Sequence, residues 1–263
     1  MTEPTVLWEM TDGLGRITLN RPDSLNAWNG QLVRELKEAV TERAAAPEAR
    51  AILVTGAGRA FSSGADLRAG FDPADDGRPD IRRELEELYH PIIAGLRRLE
   101  KPVVAAVNGP AVGIGCSLAL ACDLVLVAES AYFMLAFVRI GLMPDGGSTL
   151  FVPARVGKAR AFEMALLGEQ VAAEEAVRWG LANAAHPDER LDEEANAVAA
   201  RLAAGPTASY AGVKRALNAA LYPHLDGQLG LEAQIQHGLA RTEDFMEGVG
   251  AFLEKREPAF RGR

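Results

Sequence analysis

Two glycine-bearing segments of this 263-residue chain follow apolar, strand-like runs: Phe61-Ser62-Ser63-Gly64-Ala65-Asp66 and Gly113-Ile114-Gly115. A chain that passes from a strand through glycine into the start of a helix exposes backbone N–H groups with no partner. Two such groups facing one point form an oxyanion hole, which stabilises the negative oxygen of an enolate. Taken singly, each segment is better read as a tight turn that permits close packing. A nucleotide phosphate is the other ligand such loops could cradle. The dinucleotide pattern G-x-G-x-x-G needs a third glycine where Phe61 stands after Gly56 and Gly58, and where Leu118 stands after Gly113 and Gly115. Neither loop matches, and no G-x-x-x-x-G-K-[ST] occurs.

Other chemistries find little support. A nucleophilic Ser63 would need one of four histidines, His90, His186, His224 or His237, and its setting is not G-x-S-x-G. No His/Cys/Asp cluster has metal-ligand spacing, so no metal is expected. Cys116 and Cys122 lie six apart in an apolar segment and would point to different faces of a helix, which predicts core fillers in a reducing cytoplasm rather than a disulfide. The opening residues lack the basic and apolar segments of a signal peptide. Val103–Val107 and Leu124–Ala128 are too short to span a bilayer. With 28 basic and 36 acidic residues the net charge is −8, which disfavours nucleic acid or an anionic membrane as partner. A phosphate-bearing ligand would have to meet a local basic patch or backbone N–H groups.

The elements that must hold these loops follow from periodicity. Two apolar stretches flanking Asp12-Gly13 predict a hairpin. Asn29 opens a helix whose Leu32, Val33, Leu36, Ala39 and Val40 share a face. Strands are expected at 51–55, 103–107, 124–128 and 132–138, and a wholly apolar, buried helix at 113–122. Segment 68–79 reads as a loop, and 81–99 as a helix kinked at Pro91. From about residue 156 the pattern is helical, with breaks near Gly168, Gly180, Pro187, Gly205-Pro206 and Pro223. The expected fold class is α/β, with a core over 1–200 and a helical region over 201–263.

Five ordered segments carry a family resemblance: LNRPDSLNAW (19–28), AFSSGADL (60–67), AAVNGPAVGIGCSLALACDLVL (105–126), IGLMPDGGST (140–149) and AFLEKREPAF (251–260). Together they resemble the crotonase, or enoyl-CoA hydratase/isomerase, family from near residue 6 to the C-terminus. The resemblance implies a spiral of ββα units with a helical C-terminal trimerisation region, assembling as a homotrimer or dimer of trimers. It implies an acyl-CoA thioester as substrate, with coenzyme A part of the substrate and no separate cofactor. By motif position the thioester carbonyl would sit between the N–H groups of Ser63 and Ile114, where most relatives have glycine in place of Ile114. Ala27, Ser63, Gly64, Ala65, Asp66 and Leu67 would line the thioester and coenzyme arm, Asp66 more as a structural cap than a catalyst. Phe252 and Lys255 would reach into a neighbouring subunit's adenine and phosphate site.

The departures from the family pattern bear on the reaction. Hydration needs a base to activate water and an acid to protonate carbon. The two positions at which the family's hydratases carry glutamate are Ser117 and Phe137 here, so hydration is disfavoured. Asp145, in Met143-Pro144-Asp145-Gly146-Gly147, resembles the carboxylate of the isomerase branch, which includes ring-epoxide and enoyl-CoA isomerases and moves a double bond by shuttling one proton. The competing reading of Asp145 is a helix cap in a Pro-Asp-Gly turn, a role that would lower its pKa where apolar neighbours would raise it. The family's dehalogenases also use an aspartate here, but need a histidine base that these motifs lack. Two alternatives stay open: a hydratase using another acid such as Asp72, Asp75 or Asp76, and a non-catalytic acyl-CoA-binding protein.

Overall fold

The computed structural model describes residues 3–71, 73–74 and 77–263. Strand β1 (Val6–Thr11) turns back on β2 (Leu14–Leu19) through Asp12 and Gly13, both at positive φ (50° and 81°), as a two-residue hairpin requires. Asn29 caps α1 (Gly30–Glu38), accepting the Leu32 N–H at 2.9 Å, and the helix buries Leu32, Val33 and Leu36. Strand β3 (Ala51–Gly56) is buried at every position, which suits a continuous apolar run flanked by parallel neighbours.

Beyond the 68–79 segment, α2 (Ile81–Glu84) and α3 (His90–Arg98) are joined by a π-helical turn, Leu85–Tyr89, in which the His90 N–H reaches the Leu85 carbonyl. Pro91 explains the widened turn. It has no N–H to give the Glu87 carbonyl, which takes the Lys37 ammonium at 3.0 Å instead. Strand β4 (Val103–Val107), the short β5 (Ala111–Val112) and the wholly buried α4 (Ile114–Ala121) follow, then β6 (Leu124–Ala128) and β7 (Tyr132–Met134). The sequence predicts β7 to run to residue 138. The chain instead leaves the sheet after Met134 and forms a 3-10 turn, Ala136–Ile140, closed by Gly141 at φ 72°.

Strands β1-β2-β3-β4-β6-β9 make the larger sheet, parallel from β2 onward, and β5-β7-β8 the smaller one. The chain repeatedly places a strand in the larger sheet, then one in the smaller, then a helix: β4, β5 and α4, then β6, β7 and α5 (Ser148–Leu167). β3 begins a reduced version of that turn, with a single bridge, Ser62 to Ala111, in place of its second strand. The result is a spiral of ββα units, as the resemblance implies. Two three-residue strands, β8 (Gln170–Ala172) and β9 (Ala184–His186), flank α6 (Ala173–Trp179) inside the stretch expected to be helical. Helices α7 (Leu191–Ala203), α8 (Thr207–Leu221), α9 (Leu225–Leu239) and α10 (Glu243–Glu254) complete the chain. Within these, α9 and α10 return to the core, burying Leu229, Ala233, Phe245 and Ala251.

Candidate active site

The two glycine segments are drawn together by backbone pairing. The Ser62 N–H donates to the Pro110 carbonyl at 3.0 Å, and the Val112 N–H donates to the Ser62 carbonyl at 2.9 Å. Gly64, at φ 93°, packs so closely that a Cβ would lie 3.0 Å from the Val112 carbonyl oxygen. A side chain there would force the loops apart. The buried Asn26 amide fixes the approach to this segment, donating to the carbonyls of Ala57 (2.9 Å) and Ala60 (2.8 Å).

Hydrogen bonding corrects the sequence assignment of one oxyanion donor. The Ser63 N–H is already spent on the Leu25 carbonyl at 2.9 Å. On the same edge the Gly64 carbonyl accepts from Trp28 (2.8 Å) and the Asp66 N–H donates to Trp28 (3.0 Å). Successive N–H groups of an extended segment point to opposite sides, so the Ala65 N–H faces away from that edge. Among the described residues Ala65 N–H donates to nothing, and neither does Ile114 N–H, at the start of α4. Ala65 and Ile114, not Ser63 and Ile114, are the free pair, and both line one cleft of about 950 Å³.

Asp145 lines the same cleft and is buried. Its carboxyl caps no helix. The start of α5 is taken by Glu232 of α9, which accepts the N–H groups of Gly147 (2.8 Å) and Thr149 (3.2 Å). Asp145 Oδ2 accepts from the Gln236 amide at 2.8 Å, and among the described residues Oδ1 has no hydrogen-bond partner. Burial pushes the Asp145 pKa up to about 8, the Gln236 hydrogen bond opposes that rise, and the charges of Glu232 and Glu84 add to it. Ser117 lies outside the cleft lining. Its hydroxyl donates to the Asp145 carbonyl at 2.7 Å and so ties α4 to the turn that carries Asp145. Gly146, at φ 63°, lets that turn approach, since a Cβ would lie 2.4 Å from the Ile114 side chain.

Phe137 lines the cleft as expected, among Phe71, Ile81, Leu85, Met134 and Leu142. A second carboxylate, Glu84, lines it too, hydrogen-bonded to the buried Tyr89 hydroxyl. Burial first, then Glu84 and Asp145, push the Tyr89 pKa up, so its proton is firmly held. Sequence reasoning missed both residues because the placement of α2 depends on packing rather than on a local motif. It also missed Gln236 and Glu232, whose one signal is a polar stripe, Gln228, Glu232 and Gln236, at four-residue spacing in a largely apolar helix. Ala27, Ser63, Gly64, Asp66 and Leu67 all line the cleft. Asp66 pairs with Arg21 at 2.8 Å and accepts the Arg68 N–H at 3.2 Å, which is structural work. Arg59, Arg68 and Arg139 also line the cleft, so it carries basic groups although the protein as a whole is acidic.

Phe252 lines the cleft of its own chain and is more than half exposed. Its helix, α10, folds back on the 3-10 turn, with Gly248 against Ile140. Lys255 ends α10 at φ 56° and is not part of the lining. No histidine is among the lining residues described, which leaves a nucleophilic Ser63 without a base. Asp72, Asp75 and Asp76 lie outside the described residues.

Comparison with known proteins places the chain among relatives along its whole length. Residues 9–263 match the family model described as enoyl-CoA hydratase/isomerase. A Rhodobacter capsulatus protein named "Probable enoyl-CoA hydratase" is 49% identical over the full length of both chains. The "1,2-epoxyphenylacetyl-CoA isomerase" of Escherichia coli K12 is 41% identical over 98% of each. A crystal structure of an enoyl-CoA hydratase from Mycobacterium avium subsp. paratuberculosis superposes with a TM-score of 0.89, at 41% identity and 98% coverage of both chains.

Proposed function

The chain belongs to the enoyl-CoA hydratase/isomerase family, and within it we propose an isomerase that moves a double bond, or rearranges a ring epoxide, in an acyl-CoA thioester. One observation carries this reading. A buried carboxyl with an unpartnered oxygen, Asp145 Oδ1, lines the same apolar cleft as two unspent backbone N–H groups. The thioester oxygen accepts from Ala65 and Ile114. Ionised Asp145 removes an α-proton, and the electron pair flows to that oxygen as a dienolate. The N–H groups, already oriented, stabilise the charge without reorganisation. Protonated Asp145 then returns the same proton to the γ-carbon, the pair flows back, and the double bond has moved by one position. A pKa near the working pH suits a group that must both take and give a proton. The apolar lining keeps water from the dienolate.

A second reading is hydration. Glu84 favours it, because two carboxylates, Glu84 and Asp145, line one cleft although neither standard glutamate position is filled. Product analysis separates the two. With a 3-enoyl-CoA the expected product is the 2-enoyl-CoA, while crotonyl-CoA hydration stays negligible. Crotonyl-CoA hydration on the order of tens per second, abolished in Glu84→Gln, would establish the hydratase instead.

A further inference from the structure

We propose that Gln236 is the positioning residue of this site: it fixes which oxygen of Asp145 carries the proton, holding Oδ2 as acceptor and leaving Oδ1 as the oxygen that exchanges with substrate, while Glu232 anchors the turn beneath. The inference rests on the proton-shuttle reading of Asp145 above.

Gln228, Glu232 and Gln236 project from one face of α9 at four-residue spacing. All three grip the stretch 143–149. Gln228 donates to the Thr149 hydroxyl at 2.8 Å, and Glu232 accepts that hydroxyl together with the N–H groups of Gly147 and Thr149. Gln236 Oε1 accepts the Met143 N–H at 3.1 Å. That last bond decides the chemistry. A backbone N–H can only donate, so the amide oxygen must face Met143, and the amide NH2 must then face Asp145. The group meeting Oδ2 is therefore a donor in every protonation state. When the carboxyl is neutral, Oδ2 is favoured as its carbonyl oxygen and Oδ1 as its hydroxyl. Glu232 and Gln236 are fully buried, so solvent does not supply a substitute partner.

A residue that only held the turn in shape would leave the titration of Asp145 in place. A positioning residue must move it. The ionisable groups facing the carboxyl are Glu232 from α9, Glu84 from α2 and Tyr89 from the π turn. Gln236 stabilises the ionised form by donating to it, whereas Glu232 and Glu84 oppose it as like charges.

The test is infrared difference spectroscopy of the unliganded protein across pH, with the Asp145 band assigned by its absence in Asp145→Asn. Gln236→Met should raise the Asp145 midpoint by about one pH unit, and Glu232→Gln should lower it. Gln236→Glu, which keeps the shape and the Met143 contact, serves if the methionine variant does not fold, and should also raise it. In isomerisation kinetics the Gln236 variants should lower kcat about tenfold at neutral pH with little change in KM, and the acid limb should follow the infrared midpoint. Midpoints that stay in place, or that move in the same direction for Gln236→Met and Glu232→Gln, would overturn the proposal. The infrared readout needs no turnover, so it stands apart from the isomerase reading. Absent isomerisation with shifted midpoints would refute the reaction, and with it the exchange of Oδ1 with substrate, while the hold of Gln236 on the Asp145 carboxyl would stand.

Discussion

Asp145 sits in a conflict between stability and chemistry. Proton abstraction requires a carboxylate, yet burial pushes its pKa up to about 8 and so favours the neutral form at neutral pH. Activity should therefore rise with pH along a limb near 8, read from kcat/KM on a 3-enoyl-CoA. A limb in the ordinary carboxylate range would mean that another group is being titrated. The same shift predicts a stability signature with a definite sign. A carboxyl whose folded pKa lies above its unfolded value of 3.8 contributes stability that is complete below 3.8 and lost as pH rises through about 8. Asparagine has no such loss. The melting temperature of Asp145→Asn should thus exceed the parent's by more at about pH 9 than at about pH 5, and a gap independent of pH would contradict this account. Glu232, pushed up to about 7 chiefly by burial, adds a loss of the same sign to both proteins over a slightly lower range.

At the scale of elements, the C-terminal helices are tied to the spiral by buried polar groups as well as by apolar packing. Lys214 of α8 pairs with Asp123 at 2.8 Å and donates to the Leu96 carbonyl at 2.7 Å, while Arg97 of α3 meets the same aspartate at 2.9 Å. Removing Asp123 leaves two nearly buried cations uncompensated. Asp123→Ala should cost about 3–5 kcal/mol in denaturant unfolding, and adding Lys214→Met should return part of it. A cost below about 1 kcal/mol, the range of exposed pairs, would show the network to be of little consequence. What the sequence disclosed about the elements follows the range of the forces. The hairpin at Asp12-Gly13, the cap at Asn29 and the parallel strands at 51–56 and 103–107 rest on local turn chemistry or on continuous apolar runs, and all were legible. Strands β8 and β9 were not, since three residues show no periodicity. The place of Asp145 in one cleft with the two glycine segments was legible from its motif. Its partners were not, because Glu84, Glu232 and Gln236 reach it only through the packing of distant helices. That the unspent N–H is that of Ala65 rather than Ser63 has a similar origin. Which N–H of an extended run is spent depends on the strand beside it, here the segment of Leu25 and Trp28.

For the molecule as a whole, an unpartnered apolar surface remains. Val213, Leu217 and Leu221, four residues apart on α8, are each more than half exposed, as are Phe162 and Leu166 on α5. Packing within the chain leaves them exposed, which makes this face available for a contact between subunits. A trimer-based assembly is the expected state, and Leu217→Asp should shift light scattering toward the monomer. A parent protein that is monomeric at micromolar concentration would remove the need for that interface.

The proposed transfer of one proton by one carboxyl, across a thioester held by Ala65 and Ile114, is measured most directly as the turnover of a 3-enoyl-CoA by Asp145→Asn, taken alongside the affinity of that variant for a non-reactive acyl-CoA. Asparagine retains an oxygen able to accept from Gln236, so the fold and the cleft should persist. Isomerisation should fall by about a hundredfold or more, the usual worth of a general base, with thioester affinity within a few-fold of the parent. Isomerisation at nearly the parental rate by the folded variant would contradict the account and leave Asp145 no part in the chemistry.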